Sequence, residues 1–233
     1  MTQLAIGDAE ATEHALSVCN ALVQAACPIA FFIGDLEAGD KFVARLLDSS
    51  TKHALIPWHK WGRCFEGILL LKRGDTARGL ELLGTTLGEL PGIGYAVYRT
   101  SFLGTFAEAL GNAGQPARGI AAIARAIQHC ESEEERWCIP ELLRIKGGLL
   151  LQNDGATAVS EAEEHYRRSL DWARRQGAVA WELRTATSLA GLLRNQNRTI
   201  QARDVLAPVY ARFSEGLETA DLKTARDLLD ACV

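Results

Sequence analysis

Apolar residues along this chain fall in paired runs at helical spacing, and the pairs repeat. Three stretches align without a gap: AACPIAFFIGDLEAGDKFVARLL from Ala25, CFEGILLLKRGDTARGLELLGTTL from Cys64 and TFAEALGNAGQPARGIAAIARAI from Thr105. Cys27, Gly67, Ala107 and Gly147 form a series with a step of 40 residues, as do Gly34, Gly74 and Gly114, and Gly39, Gly79 and Gly119. Each stretch reads as an apolar helix, a glycine turn and a second helix. Small residues at the two facing positions let the backbones approach closely, and Val43, Leu83 and Ile123, four residues further on, fill the seam. A hairpin of this kind buries its apolar face only by stacking on the next one. No stretch alternates with period two over a useful length, so the predicted class is all-α.

The turns carry their own chemistry. Gly34 and Gly74 sit where a helix end needs a positive φ, and Asp35 and Asp75 follow as N-caps for the next helix. In the third unit Gln115-Pro116 replaces the aspartate, with proline in the first turn. A fourth unit starts near Cys138 and carries extra turn residues, QNDGATAVS from Gln152, which shift its second small residue to Ala162 and its large one to Tyr166. Ser160 and Glu163 there predict a capping box. The fifth unit, near Glu182, returns to register with Ala190, Ala202 and Leu206, and Thr199 and Thr219 are predicted as the later caps. The pattern predicts a tetratricopeptide-like α-α superhelix, one solenoid domain over 1–233, with hairpins near 8–50, 53–90, 93–131, 133–177 and 179–216. A helix over 219–231 would cap it, with Leu222, Ala225, Leu228 and Leu229 inward and Asp221, Lys223, Arg226 and Asp227 toward water. Pro28 and Pro208 fall inside predicted helices and should kink them, either shaping a groove or marking irregular solenoid ends.

Composition narrows the function classes. The chain is 48% hydrophobic but only 7% aromatic, as expected where Ala and Leu fill helix seams, and its formal net charge of −4 argues against a phosphate-neutralising surface. The start lacks the basic and apolar regions of a signal peptide, and no uninterrupted apolar run is predicted to span a bilayer. Cys19, Cys27, Cys64, Cys130, Cys138 and Cys232 show no metal or disulfide-framework spacing and read as reduced core thiols of a cytoplasmic protein. His14, His53, His59, His129 and His165 are scattered, without HExxH or other zinc spacing. Gly92-Ile93-Gly94 reads as a turn, Glu133 to Arg136 as an acidic helix start and Arg174-Arg175 as a cationic helix end. With no phosphate loop or nucleophile elbow either, the expectation is a protein without catalytic activity, cofactor or metal.

One constellation suggests a binding role. Trp58, Tyr98 and Cys138 share a repeat phase, one turn upstream of Trp61, Ser101 and Glu141, and Trp181 and Arg184 fall in the same phase of the fifth unit. In arrays of this type that face of the first helix lines the concave side. Trp58, Trp61, Tyr98, Glu108, Glu141, Arg144, Trp181 and Arg184 are therefore the candidate partner-binding residues, an aromatic and charged trough with hot-spot chemistry. The alternative is that the tryptophans fill the core between repeats.

Five segments resemble a known group of proteins: ALVQAACPIAFFIGDLEAGDKFVARLL, WHKWGRCFEGILLLKRGD, ERWCIPELLRIKGGLLL, LDWARRQGAVAWELRTATSLAGLLRNQNR and LAPVYARFSEGLETADLKTARDLLDA. They are similar to the C-terminal helical-repeat region of large bacterial regulators, where it follows a STAND-type ATPase module and a winged-helix DNA-binding domain or an adenylate/guanylate cyclase domain. Those modules are absent from this sequence, so their activities do not carry over. What the resemblance implies is a non-enzymatic interaction or regulatory domain of a bacterial transcriptional or signalling regulator, contacting a protein partner or the regulator's other domains, without direct nucleic-acid or membrane binding. The alternative is an inducer-sensing domain that encloses a small molecule among Trp58, Trp61, Tyr98 and Arg144.

Overall fold

The computed structural model describes residues 7–9, 11, 12, 14–90, 98–132 and 136–232; among them the chain is all-helical and contains no strand. The predicted turn at Gly92-Ile93-Gly94 and the acidic start at Glu133–Glu135 lie outside the described residues. The helices fall into two compact units, Met1–Phe102 and Leu103–Val233.

The first unit holds α1 (Ala15–Ile33), α2 (Leu36–Lys52), α3 (Ile56–Lys72), α4 (Thr76–Glu89) and the start of α5 (Arg99–Asn112). Here α1 packs on α2, α2 on α3 and α3 on α4, and α1 also touches α3. The second unit holds the rest of α5, then α6 (Pro116–Ser132), α7 (Ile139–Asp154), α8 (Val159–Gln176), α9 (Val179–Asn195), α10 (Thr199–Tyr210) and α11 (Ala220–Asp230). Here too α6 to α11 pack in chain order, while α7 also meets α9, and α9 meets α11. The inner odd-numbered helices α3, α7 and α9 are thus enclosed by more neighbours than α2, α8 and α10, and burial follows. In α7, Ile139, Pro140, Leu142, Leu143, Ile145, Gly147, Leu149 and Leu150 are buried, almost all round the helix. In α8 the buried residues Ala162, Tyr166, Ser169 and Ala173 form one stripe at three- and four-residue spacing.

The seams need the small residues. A Cβ at Gly79 would come 2.7 Å from Leu71 Cγ and 3.0 Å from the Gly67 carbonyl oxygen, and one at Gly119 would come 2.7 Å from the Ala107 carbonyl oxygen. In the fourth unit the same closeness is filled by a large side chain: a Cβ at Gly147 would meet Tyr166 Cε1 at 2.7 Å.

One turn geometry recurs. After α1, α3, α5, α8 and α9 an amide two or three residues past the helix end donates to a carbonyl five residues back: Asp35 to Ala30 at 2.9 Å, Asp75 to Leu70 at 3.0 Å, Gln115 to Leu110 at 2.9 Å, Ala178 to Ala173 at 2.9 Å and Arg198 to Leu193 at 2.9 Å. This closes the helix only if the intervening residue has positive φ, which is 77° at Gly34 and 62° at Asn197. Asp35 and Asp75 cap as expected, accepting from the amides of Ala38 at 2.9 Å and Arg78 at 3.4 Å.

Several expectations are corrected. Ser160 is already helical, because a 3-10 turn over Gly155–Ala158 runs straight into α8, whose cap position is Ala158 and has no capping side chain. Glu163 therefore closes no capping box; it pairs with Arg167 and Arg198, each at 2.6 Å. Thr199 lies inside α10, with Arg198 at the cap, and Thr219 sits at the α11 cap position but its hydroxyl makes no capping bond. Pro28 does not break α1, because a π-helical turn over Leu22–Ala26 immediately precedes it and absorbs the missing amide donor. Pro208 stands in the last turn of α10, which ends at Tyr210. Finally, α1 is long and apolar enough to cross a membrane by length and composition, with a mean hydropathy of 1.9 over 19 residues, against the expectation that no run reaches that length. Part of α1 is buried against α2 and α3: Cys19, Leu22, Val23, Ala26, Cys27 and Ala30 are at most 3% exposed.

The terminal helix α11 packs on the hairpin before it. Leu222 and Ala225 are buried in the cluster formed with Leu189, Leu193, Leu206 and Val209, and Leu228 and Leu229 pack at its edge. Lys223, Arg226 and Asp227 face water.

Candidate functional site

The charged candidates converge in the second unit, and they do so through odd helices. On α7, Glu141 and Arg144 are three residues apart and share one face. Arg144 donates from Nε to Glu141 Oε2 at 2.9 Å and from Nη2 to Glu108 Oε1 on α5 at 2.6 Å. Arg184 on α9 places Nη2 2.8 Å from Glu141 Oε1, and its Nη1 lies 3.9 Å from Asp221 Oδ2 on α11. The result is a row of alternating charges, Glu108, Arg144, Glu141, Arg184 and Asp221, over α5, α7, α9 and α11. Burial opposes the Arg144 charge, but Glu141 and Glu108 outweigh it and raise its pKa well above the ordinary value. Arg144 and Glu141 are the closed centre of the row, while Glu108, Arg184 and Asp221 keep 36%, 28% and 45% of their side chains in water.

Trp181, one turn before Arg184, stacks on Trp137 at 5.6 Å between ring centroids, tilted by 31°. Trp137 belongs to a 3-10 turn, Arg136–Cys138, and was not among the candidates. Its signal in the sequence was its place one residue before the repeat phase of Trp181.

In the first unit the aromatic candidates are absorbed by packing. Trp61 is 2% exposed and meets Trp58 edge to face at 5.8 Å. It is a core residue and is corrected as an anchor; the neighbouring Gly62, where a Cβ would come 2.8 Å from Leu47, shows how closely α3 lies on α2. Trp58 and Tyr98 are half-buried and spend their polar ends on α1: Trp58 Nε1 donates to Asn20 Oδ1 at 2.8 Å, and the Tyr98 hydroxyl to the Gln24 carbonyl at 3.3 Å. The Tyr98 ring also lies 6.1 Å from Phe102 and 6.3 Å from Phe65, and burial raises its phenol pKa so that the donor stays protonated. Asn20 and Gln24, four residues apart in a helix with no charged residue, are partners that the sequence reading missed.

The first unit also contains a cleft of about 410 Å³ between the end of α2, the start of α3 and α4, lined by Ser50, Thr51, Ala54, Ile56, His59, Lys60, Arg63, Thr85, Thr86 and Glu89. It includes none of Trp58, Trp61, Tyr98 or Arg144. His59 Nδ1 lies 3.2 Å from Thr51 Oγ1, and Lys60 Nζ donates to the Glu89 carbonyl at 3.1 Å. The cysteines are all buried, Cys130 Sγ lying 3.7 Å from Cys138 Sγ, and burial pushes the Cys27 and Cys64 thiols up to about 12, so neither supplies a thiolate near neutrality. Among the described residues no cluster of three His, Cys, Asp or Glu side chains could hold a metal ion.

No family model matches the chain, and no curated protein matches it significantly. The class that the fold and the site define is an all-helical protein whose second unit carries an aromatic pair and a row of paired charges.

Proposed function

We propose that the chain is a tetratricopeptide-like α-α solenoid acting as a non-enzymatic protein-interaction domain of a bacterial transcriptional or signalling regulator, in the cytoplasm. Support for the solenoid reading comes from the 40-residue register, the repeated helix-closing turn and the contacts α1 to α3, α7 to α9 and α9 to α11, since odd helices of such arrays meet one another along one side. The observation that carries the interaction reading is the row of charges on α5, α7, α9 and α11, ending in half-exposed side chains beside the Trp137–Trp181 stack. A paired, immobilised row costs a partner little ordering entropy, and an aromatic pair supplies the apolar anchor. The partner is a protein segment or another domain of the same regulator. The test is calorimetric titration of the chain with a peptide selected from a displayed library. Alanine at both Trp181 and Arg184 should weaken binding by more than about tenfold, or roughly 1.4 kcal/mol, with an unchanged helical signal. Binding unaffected by that pair would dismiss this face.

The cleft favours a second reading, a small-molecule sensor. Arg63 and Lys60, the latter 3.3 Å from the Glu89 carboxylate, bring positive charge to one wall and Ile56, 64% exposed, offers an apolar one, which suits an amphiphilic carboxylate or phosphate. A thermal-shift series with such acids, in which Arg63→Ala abolishes any stabilisation, tests it; no stabilisation by any member of the series rules it out.

A further inference from the structure

Two of the six cysteines meet in the second unit: Cys130 Sγ lies 3.7 Å from Cys138 Sγ, and the two residues are 0% and 2% exposed. Cys130 stands in the last turn of α6, while Cys138 ends the 3-10 turn Arg136–Cys138 and caps α7. The repeat itself brings these positions together. Forty residues earlier they hold Leu90 and Tyr98, and forty before that Ser50 and Trp58. Ser50 and Leu90 are buried as Cys130 is, so the position is closed at each junction of one hairpin with the next. Of these three junctions the third alone carries sulfur on both sides. The turn that ends in Cys138 is also tied to later helices: Gln176 Nε2, at the end of α8, donates to the Arg136 carbonyl at 2.7 Å, and Trp137 stacks on Trp181 of α9.

We propose that Cys130 and Cys138 are a redox modification site, closing to a disulfide under hydrogen peroxide and reopening to two thiols under a thiol reductant. A sulfur–sulfur bond of about 2.05 Å asks the two sulfurs to approach by roughly 1.7 Å, which rotation about the two Cα–Cβ bonds supplies. One thiolate displaces hydroxide from the peroxide and becomes a sulfenic acid; the other then attacks that sulfur, forms the S–S bond and expels the remaining oxygen as hydroxide. The two thiol protons turn both hydroxides into water, and the two electrons lost by the sulfurs go to the broken O–O bond. Burial shapes the outcome. Peroxide is scarcely larger than the water that enters when a three-residue turn opens, and the neighbouring sulfur captures the sulfenic acid before a second peroxide reaches it. In a reducing compartment such a bond is transient and acts as a signal. Its effect is to join α6 covalently to the turn that bears Trp137, which α8 and α9 already hold.

Tryptic mapping of the full chain tests this, because cleavage after Arg125, Arg136 and Arg144 puts the two cysteines on separate peptides, 126–136 and 137–144. After treatment of the folded chain with hydrogen peroxide and alkylation of the remaining thiols under denaturation, the two peptides are expected joined, lighter by two hydrogens and separable by dithiothreitol. The oxidised chain should melt at a higher temperature than the reduced one, since the link constrains the unfolded state. Cys130→Ala and Cys138→Ala should each lose that peroxide-dependent rise, whatever their own stability. In urea the same treatment should scatter the links over the six cysteines. The proposal is overturned if both cysteines are recovered alkylated, if either carries sulfinic or sulfonic acid in place of the link, or if either sulfur is joined elsewhere. An equal yield of this pair from folded and urea-unfolded chain also overturns it, since nearness in sequence and not the fold would then make the bond.

Discussion

Arg144 on α7 reaches back to Glu108 on α5, Nη2 to Oε1 at 2.6 Å, while the same guanidinium holds Glu141 on its own helix at 2.9 Å. Two carboxylates thus share one cation that is only 13% exposed. Arg144→Ala should destabilise by about 2–4 kcal/mol, because it leaves Glu141, 17% exposed, with less cationic compensation. Urea unfolding measures this, and Glu141→Gln in the same chain should recover part of the loss. A stability unchanged by Arg144→Ala would mean that water compensates the carboxylates and that the row is a surface feature.

Two glycines in the first unit make opposite predictions under the same substitution. Gly79→Ala should cost about 1–3 kcal/mol, since its Cβ would stand 3.0 Å from the Gly67 carbonyl oxygen, backbone that cannot step aside. Gly88→Ala, on the same helix with nothing within 4 Å of the new Cβ, should stabilise by about 0.5–1 kcal/mol through helix propensity alone. Melting temperatures that shift in the same direction would remove the close seam from the account.

The cap is testable by one side chain. Leu222 is 4% exposed and packs with Ala225 over the last hairpin, so Leu222→Ala should cost about 2–4 kcal/mol. Deleting the chain from Thr219 onward should uncover Leu189, Leu193 and Leu206 and promote association, read by light scattering. A truncated chain as soluble and as stable as the whole would show that α11 protects nothing.

Acid should be felt first at His165. Burial, then Lys146 and Arg168, lower its pKa, with Glu161 and Glu164 acting weakly the other way. A histidine with a depressed folded-state pKa contributes stability that is present above the unfolded value, near 6.5, and is lost as pH falls toward the folded one. Unfolding free energy should therefore decline below that point, and His165→Gln should flatten the decline. An equal slope in both proteins would place the acid sensitivity elsewhere. Glu163, its pKa lowered chiefly by Arg198, adds the same sign of dependence in the more acidic carboxylate range.

What the chain's pattern determined alone is whatever depends on neighbours in sequence or on a fixed step: the helices, the turns at Gly34, Gly74, Gly114 and Asn197, the Asp35 and Asp75 caps, the close seams at Gly79 and Gly119, and the polar and apolar sides of α11. A positive φ, a capping carboxylate and a missing Cβ act within a few residues or at one repeat length, so they are written in the letters. The capping box at Ser160 failed because a 3-10 turn preceding it took over the helix start, an alternative equally local and equally permitted. Tertiary structure alone decided which of the phased residues are free. Trp61 and Arg184 share one repeat phase and Tyr98 falls one turn upstream of it, on the same predicted face, yet Trp61 is core, Tyr98 is tied to Gln24, and Arg184 joins a row of charges. Periodicity assigns a residue to a face, but exposure depends on how closely the next helix lies on that face. That closeness is set by side chains tens of residues away, such as Asn20 for Trp58 and Glu108 for Arg144.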